Sequence, residues 1–218
     1  MKYLEFKNAV REFPLISSTH ISHICKETKT LKVQLSQWQK KGFIIKLKRG
    51  LYILNENDRK IEPSRIFLAN ALYSPSYVST TYAFGYYDLI PERVEDVTSI
   101  TTKKTAKFTN HFGTFIYQHL KTNLFFGFKE IKDENGFPVH IAEPEKAMLD
   151  FIYLNLQDFK GKKKDIFSLS YRFQNLNILK KKKLMDFARR YENKALIEVV
   201  KNLLSFIKLE EQNCLFGR

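Results

Sequence analysis

The stretch KTLKVQLSQWQKKGFIIKLKRGLYIL, residues 29–54, decides how this chain is read. Leu31, Leu35 and Trp38 recur at i, i+4 and i+7, the spacing of a single helix face. Gly42 follows, the residue type that best closes a helix in the left-handed conformation. The spacing therefore predicts a helix over 29–41. Past Gly42 the pattern changes to a β-prone one, with Ile44, Ile45, Leu47, Leu51, Tyr52 and Ile53 on either side of Lys48-Arg49-Gly50. Gly50 can take the positive φ of a tight turn, so the segment 43–54 reads as a hairpin. On a helical wheel the face opposite Leu31, Leu35 and Trp38 carries Lys29, Lys32, Val33, Ser36, Gln37 and Lys40.

Toward the N-terminus, Leu4, Phe6, Val10 and Phe13 fall near helical spacing over 3–13, and Pro14 stops that helix. Ser17, Ser18 and Thr19 are good capping residues for a short helix over 20–25 with Ile21, Ile24 and Cys25 on one side. Three short helices followed by a hairpin form the pattern of a winged helix-turn-helix, assigned to residues 1–58. NENDRK (55–60) and Pro63 read as the connection to a second, mixed α/β domain over 59–218, with a basic helical tail from about 160. The expected fold class is thus α+β. In the second domain, helices are predicted near 63–73, 81–87 and 144–156. Strands are predicted near 77–79, 97–101, 107–109, 113–120, 125–131 and 139–142, and the tail returns to helices over 182–191 and 195–208.

The net charge is +14, and its distribution says more than its total. Residues 1–60 hold 13 Lys/Arg against 5 Asp/Glu, a balance of +8. Residues 61–160 hold 10 against 12 (−2), and residues 161–218 hold 14 against 6 (+8). Both ends suit a polyanion, and the middle does not. A hydrophobic content of 44% is ample for a packed core and excludes wholesale disorder. No run approaches the ~18–20 apolar residues of a membrane span, and the first residues lack the form of a signal peptide, so a cytoplasmic location without membrane contact is expected. Cys25 and Cys214 form no CxxC pair, which argues against a disulfide framework or a zinc site and for reduced thiols.

The chemistry these residues suit is duplex recognition. Lys29, Lys32 and Lys40 can neutralise phosphates, Gln37 has the amide geometry to pair with adenine, Ser36 can donate or accept, and Val33 can meet a thymine methyl. Lys46, Lys48 and Arg49 lie on or near the hairpin tip, where a wing meets backbone or minor groove. The lysine runs 162–164 and 180–183 could extend that footprint or be solvated element ends. Other readings stay open. Glu143, Glu145 and Asp150 could serve a metal-dependent nuclease, although two glutamates at the start of a helix also suit its dipole. The aromatic-rich second domain could form a ligand- or protein-sensing pocket in a stand-alone regulator. His20 and His23 sit at i and i+3 without an evident third ligand. No catalytic, cofactor or metal residue is assigned, and no cofactor is expected.

Five segments in order carry a resemblance: GFIIKLKRGLYIL (42–54), YVSTTYAFGYYDLIPE (77–92), VTSITTKKT (97–105), FGTFIYQHLKTNLFFGF (112–128) and IAEPEKAMLDFIYL (141–154). Through them the chain resembles the AbiEi family, the antitoxin and autorepressor half of type IV toxin–antitoxin (abortive infection) modules that act in phage defence. The likeness spans roughly residues 15–155. It departs at Glu143, where relatives usually carry Ser or Thr before P-E-K-A, and at Thr80-Thr81, where a more polar pair is usual. The resemblance implies a transcriptional repressor of its own promoter that binds double-stranded DNA at inverted repeats through the N-terminal domain, a monomer in solution that pairs on DNA. It also implies neutralisation of a nucleotidyltransferase-like toxin through the C-terminal domain, with or without direct contact.

Overall fold

The computed structural model describes residues 1–24, 28–159 and 166–216, without the side chains of 22, 28–32, 169 and 213–216. Cys25, the lysine run 162–164 and the side chains of Lys29, Leu31, Lys32 and Cys214 therefore lie outside the described residues. The chain is a mixed α+β protein. Among the described residues, no helix is long and apolar enough to cross a membrane.

Three helices open the chain, α1 (Tyr3–Val10), α2 (Ser18–Ile24) and α3 (Thr28–Lys40), with a short strand β1 (Ile16–Ser17) between the first two. The hairpin β2 (Ile44–Lys48) and β3 (Leu51–Leu54) follows, and β1 pairs with β3 to give a three-stranded sheet of order β1-β3-β2. The Ser17 hydroxyl accepts a hydrogen bond from His20 N (3.1 Å), so Ser17 provides the cap that the serine-rich segment promised. Phe6 and Val10 are buried, but Leu4 and Phe13 are 64% and 45% exposed. The inner stripe of α1 is Phe6 and Val10 with Tyr3 beside them, and the helix ends three residues before Phe13. With Ile16, Ile21, Leu35, Trp38, Ile44 and Leu54 these side chains form one small core.

The second sheet has six strands: β4 (Ser76–Val78), β5 (Val97–Thr101), β6 (Ala106–Asn110), β7 (Gly113–His119), β8 (Phe128–Lys132) and β9 (Pro138–Ala142), in the order β6-β7-β5-β4-β9-β8. Pairing is parallel for β4–β9 and β5–β7 and antiparallel elsewhere. Register puts Val78, Ser99, Tyr117 and Ile141 on one face. There the Tyr117 hydroxyl donates to Ala69 O (2.6 Å) of helix α4 (Arg65–Leu72). Tyr77 and Ser79 point to the other face, toward α5 (Thr80–Tyr86) and α6 (Pro144–Leu154). The expected strand over 125–131 begins only at Phe128. Thr122–Leu124 form a 3-10 turn, and Gly127 takes φ +71°, where an added Cβ would lie 2.8 Å from the Phe187 ring.

The tail contributes α7 (Leu156–Phe159), α8 (Lys181–Arg189) and α9 (Lys194–Phe216), the last extending past the expected end at 208. It packs on α6 through a polar knot. Lys146 and Asp150, one turn apart on α6, are both 0% exposed and form an ion pair. The Asp150 carboxylate also accepts hydrogen bonds from the hydroxyls of Tyr191 (2.6 Å), Ser79 (2.8 Å) and Tyr77 (3.0 Å). The Lys146 ammonium donates to the Tyr191 hydroxyl oxygen (2.7 Å) and lies 5.0–5.5 Å from the ring centres of Tyr77, Phe126 and Tyr191. Burial lowers the lysine's pKa from its ordinary value, with Asp150 acting in the opposite sense. Burial and then the Asp150 charge push both tyrosines up, which keeps their hydroxyls protonated as donors.

A buried charge stripped of its partner is costly, on the order of 3–5 kcal/mol, whereas replacing both partners by apolar groups is often neutral. Asp150→Leu and Lys146→Met are accordingly each expected to lower unfolding free energy by about that amount. The double variant is expected to lose much less than the sum of the two. Urea unfolding of the four proteins measures this, and additive losses would show that the pair does not act as a unit.

Candidate nucleic-acid interface

Helix α3 is clamped at its C-terminal end. Phe43 N donates to Trp38 O (2.9 Å) and Gly42 N to Gln39 O (3.1 Å), while Gly42 takes φ +73°, which together satisfy the last carbonyls and turn the chain straight into β2. The Phe43 ring stacks on Tyr3 at 4.4 Å, and Trp38 meets Tyr3 and Phe6 at 5.6 and 4.8 Å. The Tyr3 hydroxyl donates to Asp58 (2.6 Å), and Lys7 pairs with the same carboxylate. Burial is the largest single influence on Asp58 and acts upward, but the bonds from Lys7, Tyr3 and Asn55 together hold its pKa below the usual value. Burial, reinforced by Asp58, raises that of Tyr3.

This anchoring leaves one face of α3 outward. Val33, Ser36, Gln37 and Lys40 stand at i, i+3, i+4 and i+7, all exposed, and Val33 is 59% so. Leu35 and Trp38 are buried on the opposite side. Four of the six helix residues singled out in the sequence are thus brought together in one stripe, and the side chains of the other two, Lys29 and Lys32, lie outside the described residues.

The hairpin divides its three cationic residues. Ile44, Ile45 and Lys46 pair with Leu54, Ile53 and Tyr52, and then Lys48 pairs with Leu51, so Leu47 is an extra residue. Strict alternation would put Lys46 and Lys48 on one face. The bulge instead brings Leu47 and Lys48 to the same side, facing α4 and β6. The Lys48 ammonium there donates to Leu72 O and sits 5.9 Å from the Phe108 ring centre. Burial and then the charge of Lys103 lower its pKa. Lys48 is therefore turned inward, while Lys46 and the turn residue Arg49 remain exposed. Leu47, Leu51 and Ile53, with Leu15, join the larger core of the molecule. Burial of such a side chain is worth about 1.5–3 kcal/mol, so the hairpin is held to the body.

The turn itself is tied to α2. Gly50 takes φ +77°, its carbonyl accepts from Ser18 N (2.8 Å), and a Cβ built on it would stand 3.2 Å from Ser18 Oγ.

The remaining carboxylate candidates are occupied within the protein. Glu145 accepts from Lys180 N (2.9 Å) and is 2% exposed, Glu143 pairs with Lys183, and Asp150 lies in the buried knot. In the basic run 180–183, Lys183 is held by Glu143 and Lys181 by Glu211 (2.6 Å). His20 and His23 are exposed, with the His20 ring 5.3 Å from that of Phe13. Among the described residues no three His, Cys, Asp or Glu side chains are grouped so as to hold a metal ion. The buried Lys146, Tyr77 and Tyr191 were not singled out from sequence; the available signal was a lysine and an aspartate at i, i+4 within an otherwise apolar helix. No protein-family model matches the chain, and no curated protein is significantly similar to it.

Because the left-handed conformation at residue 50 is strained for any residue with a Cβ, Gly50→Ala is expected to lower stability by about 1–2 kcal/mol. A thermal melt checks this. An unchanged midpoint would mean that the turn relaxes without loss.

Proposed function

We propose that this chain is a DNA-binding transcriptional autorepressor of the AbiEi kind, with residues 1–58 acting as a winged helix-turn-helix and β2–β3 as its wing. The observation that carries the reading is the exposed stripe Val33, Ser36, Gln37 and Lys40 on a helix clamped at its base, beside a hairpin that exposes Lys46 and Arg49. In this reading α3 enters the major groove. Gln37 and Ser36 meet base edges, Val33 a thymine methyl, and Lys40 a phosphate. Lys46 and Arg49 take the neighbouring backbone, and Lys48 serves as a structural residue between the wing and the body.

Residues 59–218 form the antitoxin part, which opposes a nucleotidyltransferase-like toxin. This half rests on the five-segment resemblance alone. Co-expression with the adjacent reading frame tests it: relief of a toxic neighbour supports it, and a harmless neighbour leaves a stand-alone regulator.

The DNA reading predicts affinity for the chain's own upstream region that falls steeply with salt, with a log–log slope on the order of −5 if about six phosphates are neutralised. Arg49→Gln is expected to weaken binding to all duplexes and flatten the slope by about one. Gln37→Ala is expected to erase preference for the cognate site, and Lys48→Met to change neither. Fluorescence anisotropy across a salt series reads all three. A flat salt response would refute the reading, and an effect of Lys48→Met equal to that of Arg49→Gln would refute the assignment within the wing.

A further inference from the structure

One surface of this strongly cationic protein has the opposite character. Around α5 and the segment 88–96 lie three depressions of about 390, 600 and 470 Å³; the first shares Glu92, Arg93 and Val94 with the second, and Ile66, Tyr82 and Tyr86 with the third. Their lining includes six carboxylates, Asp88, Glu92, Glu95, Asp96, Asp133 and Glu134, against three cations, Arg65, Arg93 and Lys132. Tyr82 and Tyr86 are one turn apart on α5, and Tyr86 is 48% exposed. The Tyr86 ring is braced edge-on by Tyr87 at 5.0 Å, whose hydroxyl is anchored on Ala142 O (2.8 Å).

The groove is built on fixed backbone. Leu89 N donates to Phe84 O (2.8 Å) and closes α5, with Asp88 at φ +55° in the turn. From the tail, Gln174 N donates to Leu89 O (2.9 Å), and the Asn175 side chain donates to Asp88 O (2.9 Å). A surface ordered in advance loses less on binding.

Its chemistry is already used three times within the chain, each time for a guanidinium. Arg65 lines the groove beside Tyr82, donates to Glu95 O and stands 3.8 Å from the Glu95 carboxylate. Arg93 pairs with Glu95 at 3.2 Å, and Arg172 pairs with Glu92 at 3.1 Å on the rim. Tyrosine faces next to carboxylates suit arginine over lysine, because the planar guanidinium can stack on a ring and pair through two N–H groups at once.

We propose that this groove is a protein-docking site for an arginine-bearing, cationic segment of a partner protein. The guanidinium stacks on Tyr86 and takes the Glu92 and Glu95 carboxylates in exchange for Arg172 and Arg93, whose own side chains are 64% and 89% exposed, and the apolar wall of Ile66 and Val94 takes the neighbouring side chains. The site is separate from the α3 stripe and the hairpin turn, so it does not depend on the DNA reading. The occupant is argued from charge complementarity, since a lining with an excess of carboxylates on a chain of net charge +14 selects against nucleic acid and for a cation.

The test uses the full chain and a labelled short peptide of alternating glycine and arginine, with its lysine counterpart of equal length and charge, read by anisotropy. Saturable binding is expected for the arginine peptide and roughly tenfold weaker binding for the lysine peptide. Tyr86→Ala and the pair Glu92→Gln/Glu95→Gln are each expected to cost about tenfold or more. The pair Glu198→Gln/Glu210→Gln, with the same charge change on exposed positions of α9, is expected to cost little. All five sites are exposed, and circular dichroism together with duplex affinity verifies that the variants stay folded. Failure to saturate, equal binding of the two peptides, or equal losses in the two glutamate pairs would overturn the proposal. The duplex measurements on the same variants report separately on the DNA reading.

Discussion

The buried knot around Lys146 and Asp150 is the constraint that ties the tail to the core of the larger sheet. Neither group is exposed, so the carboxylate must be satisfied from inside, and it recruits three hydroxyls from two distant parts of the chain. Tyr77 and Ser79 come from the centre of the six-stranded sheet, and Tyr191 comes from the end of α8. The tail is thereby a wall of the same core, and its sequence separation from the sheet hides this. Outside the knot, the Glu143 and Glu145 carboxylates at the start of α6 meet Lys183 and the Lys180 amide, so part of the tail's positive charge is spent on holding the tail in place. That division matters for any footprint on a polyanion, because Lys181 and Lys183 enter it only by giving up internal partners.

The hairpin is a second such constraint, since it has a buried face on each side. One side, with Ile44 and Leu54, completes the small core beneath α1 and α3; the other, with Leu47, Leu51 and Ile53, belongs to the core of the larger sheet. Helix α3, packed on such an element, is held in a fixed orientation to the body. Displacement of the body relative to the wing would expose several aliphatic side chains and leave the Lys48 ammonium without Leu72 O.

Much of the local architecture was legible in the sequence because single residues forced it. Gly42 and Gly50 marked the end of α3 and the turn of the hairpin, and both take the left-handed conformation. Pro144 marked the start of α6 although Glu143 supplies no side-chain cap. The stripe Val33, Ser36, Gln37 and Lys40 followed from helical spacing alone. What was not legible depends on contacts distant in the chain. The bulge at Leu47 that turns Lys48 inward leaves no mark in a run of alternating lysines and aliphatics. Asp150 read as a member of a carboxylate trio, because its hydroxyl partners lie far away in the chain, on and just after β4 and just past the end of α8. Phe13 fits the inner stripe of a longer α1, but the helix ends at Val10, and Leu4 stands on the side away from Phe6 and Val10. The acidic groove was diluted in a segment whose overall balance is only slightly negative, and it emerged once α5, the 88–96 segment and the 133–134 turn were brought side by side.

We propose that duplex DNA is engaged by the outward face of α3 together with the hairpin turn. Hydrogen exchange of the full chain, with and without a duplex from its own upstream region, tests it most directly. Added protection is expected only in peptides covering 33–40 and 46–50, with exchange in β4, α6 and α8 unchanged. Protection that appears instead on the tail helices, or nowhere in the first sixty residues, would contradict it.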